Sequence, residues 1–245
     1  MCQRCEDAAA ARMPLVRRNI LKFAAIAATG LALGPHALAE AAKAPPKPQN
    51  VLSPDAALER LMQGNARYVE GVSRRHDFKH EREALRAGQN PFAGVLSCAD
   101  SRISPEYCFD TARGDLFVCR VAGNFASDDI VASFEYAVAM LNAPLILVLG
   151  HDACGAVDAT IKSVKDGTAL PGHLPALAAA IRPAVEAVRS DSGDMLANAT
   201  RRNVMLNVEK LKNAAPILKA AADDKKIRVV GGVYRLASGH VELVS

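Results

Sequence analysis

The sequence predicts an α/β fold: a mostly parallel four-stranded sheet with an antiparallel edge strand, flanked by helices. Short apolar runs of strand length at 92–97, 116–121, 145–150 and 227–233 alternate with helical patterns at 128–141, 154–165, 174–190 and 195–222. That alternation is the pattern of a parallel sheet covered on both faces. The closing residues differ: two apolar runs, 231–236 and 241–244, flank Ala237-Ser238-Gly239-His240, which reads as a hairpin adding the antiparallel edge. Half of the 245 residues are hydrophobic and Trp is absent, so the core is built chiefly from Val, Leu, Ile and Ala.

The chain begins with an address. Arg17 and Arg18 precede an apolar run over 23–33, and Ala37-Leu38-Ala39 follows as a small-x-small cleavage site. This order of charged, apolar and cleavage regions predicts a signal peptide at 1–39. The run falls short of the roughly 20 apolar residues that span a bilayer. The paired arginines resemble a twin-arginine signal, with Val16 and Ile20 departing from its usual residues, and imply a periplasmic or secreted protein that meets the membrane only during export. Cys2 and Cys5 form a C-x-x-C that would be discarded with this segment. Residues 40–52, with Pro45, Pro46 and Pro48, read as a stiff linker, leaving 53–245 as the working domain.

Within that domain, 53–71 opens with a Ser cap and Pro54 and carries Ala57, Leu58, Leu61 and Met62 at helical spacing, so an amphipathic helix ending at Gly71 is expected. Residues 76–87 form a second, highly charged helical stretch. Most of the formal charge of +4 lies in the first 39 residues, so no basic surface for nucleic acid is implied. Four cysteines remain after residue 39, too few and too scattered for a disulfide scaffold. Cys108 and Cys119 sit in apolar surroundings and read as thiols; His76, His80, His173 and His240 have no partner at ligand spacing.

The chemistry gathers where ligands sit in α/β folds, past the carboxyl ends of strands. The strand at 92–97 runs into Cys98-Ala99-Asp100-Ser101-Arg102, and the strand at 145–150 into His151-Asp152-Ala153-Cys154-Gly155. If these strands are neighbours, Cys98, His151 and Cys154 converge. Two thiolates and an imidazole suit zinc, and three protein ligands leave the fourth position open, as in catalytic sites. Cys154 at a helix start gains support for its thiolate form. Arg102 can clamp Asp100 bidentately and hold it ionised as an acceptor beside the metal. Released from Arg102, Asp100 would be able to swing in as a fourth ligand.

These residues resemble the paired signature of the β-carbonic anhydrases, supported by 53–71 as a leading helix, by Arg120-Val121-Ala122-Gly123-Asn124 and by Gly231-Gly232-Val233-Tyr234. The resemblance implies one zinc per chain and reversible hydration of carbon dioxide to bicarbonate and a proton. It also implies a homodimer or tetramer. It places Gln89 as a hydrogen-bond donor to substrate and Phe117 with Tyr136 as lining of an apolar carbon dioxide pocket, with Gln89 and Tyr136 serving a neighbouring subunit's site. Gln89, Val95 and the missing Trp point to the plant-like subtype. Ala99, Val121 and Arg235 depart from the common Ser, Asn and Asp. Two thiolate ligands make the metal a weaker acid than three histidines would, so activity is expected to rise with pH. Two other readings compete: a hydrolase of carbonyl sulfide or carbon disulfide on the same fold, and a non-catalytic zinc-binding or thiol-redox protein. The Asp100–Arg102 pair weighs against the second, because a structural zinc needs no such dyad.

Overall fold

The computed structural model describes residues 51–244, so the expected signal peptide, its C-x-x-C and most of the linker lie outside the described residues. Helix α1, Pro54–Val69, starts as expected: Ser53 accepts a hydrogen bond from the Ala56 N–H at 3.2 Å and Pro54 occupies the first turn. Its buried face carries Ala57, Leu61, Gly64 and Asn65. A Cβ at Gly64 would stand 1.8 Å from the Phe109 carbonyl oxygen, so only glycine permits this approach. Asn65 Nδ2 donates to the carbonyls of Cys108 and Gly239, and its Oδ1 accepts from the Val241 N–H. One buried amide thereby ties the leading helix to two distant turns.

Helix α2 is shorter than the charged stretch predicted, Phe78–Ala84, with Asp77 as its cap. Strand β1, Ala93–Ser97, is followed by α3, Pro105–Cys108, one turn that periodicity did not signal. Strand β2, Leu116–Arg120, leads to α4, Asp128–Ala139; β3, Leu145–His151, leads to α5, Gly155–Asp166, and α6, Leu174–Ala187. The helix expected over 195–222 is instead two, α7, Met195–Lys212, and α8, Ile217–Asp223. Pro216 accounts for the break, since it lacks an N–H and disfavours helical geometry at Ala215 before it. Strands β4, Arg228–Tyr234, and β5, Val241–Val244, form the hairpin.

The sheet order is β2-β1-β3-β4-β5, with the first four strands parallel and β5 antiparallel. β1 and β3 are buried along their whole length, which explains their uninterrupted apolar sequences. One face packs against α1 and α3 through Leu61, Phe92, Val95, Phe109 and Leu147. The other is covered by α4, α7 and α8 through Phe134, Val148, Val204, Leu211 and Leu218. A third apolar cluster lies beyond the carboxyl ends of the strands, where Val157, Ile181 and Val185 surround Cys98 and Cys154. Among the described residues no helix is long and apolar enough to cross a membrane.

Candidate active site

Because β1 and β3 are direct neighbours, with Ser97 opposite Leu149, the loops following them meet. Cys98, His151 and Cys154 are 4%, 0% and 1% exposed, and their ligand atoms all lie within 4.8 Å of one another. Donors around a tetrahedral zinc stand roughly 3.5–3.8 Å apart, so the cluster fits the ion with little movement. His151 supplies a second test of fit. Its Nδ1 lies 2.8 Å from the Asp152 carbonyl, which places the proton there, while the buried Nε2 has no hydrogen-bond partner. A lone pair buried among two sulfurs and without a donor is what a metal ligand requires.

The two thiols bear directly on each other's protonation. Hydrogen bonding from Cys154 holds the Cys98 thiol well below its ordinary range, and the same contact pushes Cys154 upward. Zinc would replace the proton they share. The Gly123 N–H also donates to Cys98 Sγ at 3.3 Å. Between the other two ligands Ala153 adopts φ 50°, a left-handed conformation that disfavours a side chain. The turn is pinned by the Asp152 N–H donating to the Tyr234 carbonyl and by Asp152 Oδ1 accepting from the Leu236 N–H.

Asp100 and Arg102 form the expected fork. Arg102 Nε donates to Asp100 Oδ1 at 2.9 Å and Nη2 to Oδ2 at 2.7 Å, while the Arg102 backbone N–H adds a third bond to Oδ1 at 2.9 Å. The guanidinium holds the Asp100 carboxyl well below the usual carboxylate range. Asp100 Oδ2 stands 3.8 Å from His151 Nε2, beside the ligand cluster but outside it. Arg102 Nη2 also reaches the Ala153 carbonyl at 3.4 Å, linking the dyad to the turn that carries His151 and Cys154.

Phe117 and Tyr136 meet each other, with ring centroids 6.3 Å apart, but on the β2 and α4 side of the sheet. Phe117 packs into the cluster under α4, not the one around the sulfurs, and Tyr136 is 49% exposed. Gln89 is exposed. Cys98, Cys108, Cys119 and Cys154 are free thiols, and burial pushes the Cys108 thiol up to about 11. His76 pairs with Glu81 and His80 with Asp77, away from the ligand cluster.

Three site-shaping residues carried no role in the sequence analysis. Arg120, at the end of β2, donates to the carbonyls of Cys98, Asp100 and Ile103 at 3.0, 2.8 and 2.9 Å. Its signal was its place in the Arg120–Asn124 stretch. Asn203 and Asn207 are buried on α7, and the signal was two poor helix formers one turn apart on a face that also carries Ala199, Val204 and Leu211.

Fold and site together define an α/β metalloprotein with three convergent protein ligands and a carboxylate–guanidinium pair beside them. Residues 93–241 match the family described as carbonic anhydrase. The chain is 36% identical over 192 residues to carbonic anhydrase 2 of Mycobacterium tuberculosis, covering 78% of this chain and 93% of that protein. Among solved structures it is similar to a Coccomyxa β-carbonic anhydrase in complex with acetazolamide, at 26% identity and a TM-score of 0.58 over 78% of this chain and 82% of that one. A tetrameric β-carbonic anhydrase from Sordaria macrospora shares the fold at 24% identity and a TM-score of 0.60, over 78% and 98% of the two chains. The chain belongs to the β-class carbonic anhydrase family.

Proposed function

We propose that this protein catalyses the reversible hydration of carbon dioxide to bicarbonate and a proton, with zinc held by Cys98, His151 and Cys154. The observation that carries the reading is the buried His151 Nε2, partnerless beside two sulfurs and flanked by an ionised Asp100. Zinc held by these three residues would supply an acidified water, its pKa brought down toward about 7, as the nucleophile. Asp100 accepts that water's hydrogen bond and orients it; Arg102 keeps the carboxylate charged and turned toward the cluster. Arg102 bound to both Asp100 oxygens also prevents the carboxylate from taking the position that substrate needs.

Gln89, Phe117 and Tyr136 serve as the substrate-binding set. Their positions support a site completed between subunits: Phe117 is partly buried and Tyr136 exposed on the sheet's β2 side, apart from the chain's own sulfurs. A homodimer or a tetramer of dimers follows, in the plant-like subtype, where Gln89 donates to the developing oxyanion and the rings hold carbon dioxide. Export rests on Arg17, Arg18 and the apolar run behind them. A twin-arginine route would let zinc load while the thiols are still reduced, before the protein meets an oxidising space.

The test is zinc content together with stopped-flow hydration of residues 40–245. One zinc per chain with rapid hydration is expected. Turnover of carbonyl sulfide or carbon disulfide without carbon dioxide hydration would assign the related hydrolase activity, and one zinc with no turnover would assign a binding protein. Replacing Arg17 and Arg18 by Lys is expected to abolish export of a signal fusion; undiminished export would overturn the route.

A further inference from the structure

Behind the ligand cluster, α7 presents two buried asparagines one turn apart, Asn203 and Asn207, 2% and 7% exposed. Asn207 Oδ1 accepts from the Ala126 N–H at 2.7 Å, which fixes the orientation of its amide. Its Nδ2 then donates to the Asn203 carbonyl at 2.8 Å and to Asn203 Oδ1 at 3.2 Å. With Oδ1 so engaged, Asn203 must turn its Nδ2 to the Gly123 carbonyl, which it meets at 2.8 Å. Gly123 in turn donates its N–H to Cys98 Sγ. The donor-to-acceptor links run from Ala126 through both amides to the Gly123 carbonyl; the Gly123 N–H on the sulfur belongs to the preceding peptide group, so the amides act on Cys98 by holding residue 123 in place.

Gly123 itself has little freedom to move. Its φ is 83°, and a Cβ there would stand 2.4 Å from Ile181 Cδ1. Residue 123 is clamped between Ile181, the Asn203 amide on its carbonyl and the Cys98 sulfur on its N–H.

We infer that Asn203 and Asn207 are positioning residues for the zinc site: a relay of side-chain amides on α7 that holds the Gly123 N–H on Cys98 Sγ and so sets the donor strength of that thiolate. The inference rests on zinc occupying the Cys98–His151–Cys154 cluster. An N–H bond draws electron density from a thiolate, so its loss makes the sulfur a softer, more readily oxidised ligand. Loss of such outer contacts typically costs ten- to a hundredfold in metal affinity.

The test uses the cobalt-substituted protein, whose sulfur-to-cobalt charge-transfer band reports thiolate donor energy directly. Asn203→Leu and Asn207→Leu are each expected to shift that band to longer wavelength and to weaken zinc retention against a chelator about tenfold, the low end of such effects. Val208→Ala, on the same helix but off the relay, controls for lost stability and is expected to leave the band in place. Either Asn variant that folds is enough to decide. An unmoved band in that variant, or an equal shift in Val208→Ala, would overturn the relay. Failure of the unsubstituted chain to bind cobalt at all would instead overturn the metal reading on which it stands.

Discussion

Arg120 offers the sharpest perturbation of the ligand loop, because one side chain serves three carbonyls and touches no ligand atom. Arg120→Ala removes the bonds to Cys98, Asp100 and Ile103 together. The bonds to Cys98 and Ile103 are partly buried, and each contributes roughly 1 kcal/mol net; the solvent-facing bond to Asp100 adds little. The expected destabilisation is about 2 kcal/mol. In a domain of this size that lowers Tm by about 4–8 °C. Arg120→Lys keeps the charge but offers a single point donor, so about half of the loss should return. Thermal unfolding of the zinc-loaded proteins by circular dichroism measures both. Hydration should fall with the loosened loop, by at least tenfold in Arg120→Ala. A Tm within 1 °C of the unsubstituted protein, with activity within twofold, would refute the claim that Arg120 organises the loop.

Arg102→Ala should lower hydration about a hundredfold while zinc stays bound, since Asp100 loses its orienting fork; full activity in stopped flow would remove Arg102 from the mechanism. Cys154→Ser should drop metal content well below one zinc per chain by elemental analysis, and undiminished zinc would exclude Cys154 as a ligand. Burial raises the Asp110 carboxyl, but hydrogen bonds from Arg67 and the Arg74 N–H outweigh it and hold the group below its ordinary 3.8. Its stabilisation is therefore complete above pH 3.8 and lost as pH falls through the lower folded value. Asp110→Asn should melt well below the unsubstituted protein at neutral pH, with the gap closing as pH is taken progressively below 3.8; a gap independent of pH would contradict the assignment.

The parts of the fold legible in sequence were those with local signals. β1 and β3 are unbroken apolar runs because both of their faces are buried, and α1 announces itself through Ser53, Pro54 and a repeating apolar face. The ligands were legible because they lie at strand ends that are easily read: Cys98 follows β1 directly, His151 closes β3, and Cys154 stands three residues on, at the start of α5. The break before α8 was available in Pro216, but the apolar period on either side obscured it. What escaped depends on long-range geometry. Asn65 binds Gly239, 174 residues away, and Asn203 binds Gly123, 80 residues away; neither spacing follows any local rule. Arg120 was visible as a residue type, but which carbonyls it serves depends on how β1 and β2 pair. Phe117 and Tyr136 stand apart from the sulfurs of their own chain, a separation that no local pattern in the sequence reports.

Hydration by this chain would require zinc held by Cys98, His151 and Cys154 to acidify a water, and Asp100 to orient that water toward carbon dioxide. Stopped-flow hydration by the zinc-loaded chain and by Asp100→Asn, from about pH 6 to about pH 9 with metal content verified at each point, tests that requirement most directly. The rate is expected to rise with pH in the unsubstituted chain and to stay at least a hundredfold lower in Asp100→Asn. A flat profile with zinc bound throughout, or equal rates in the two proteins, would contradict it.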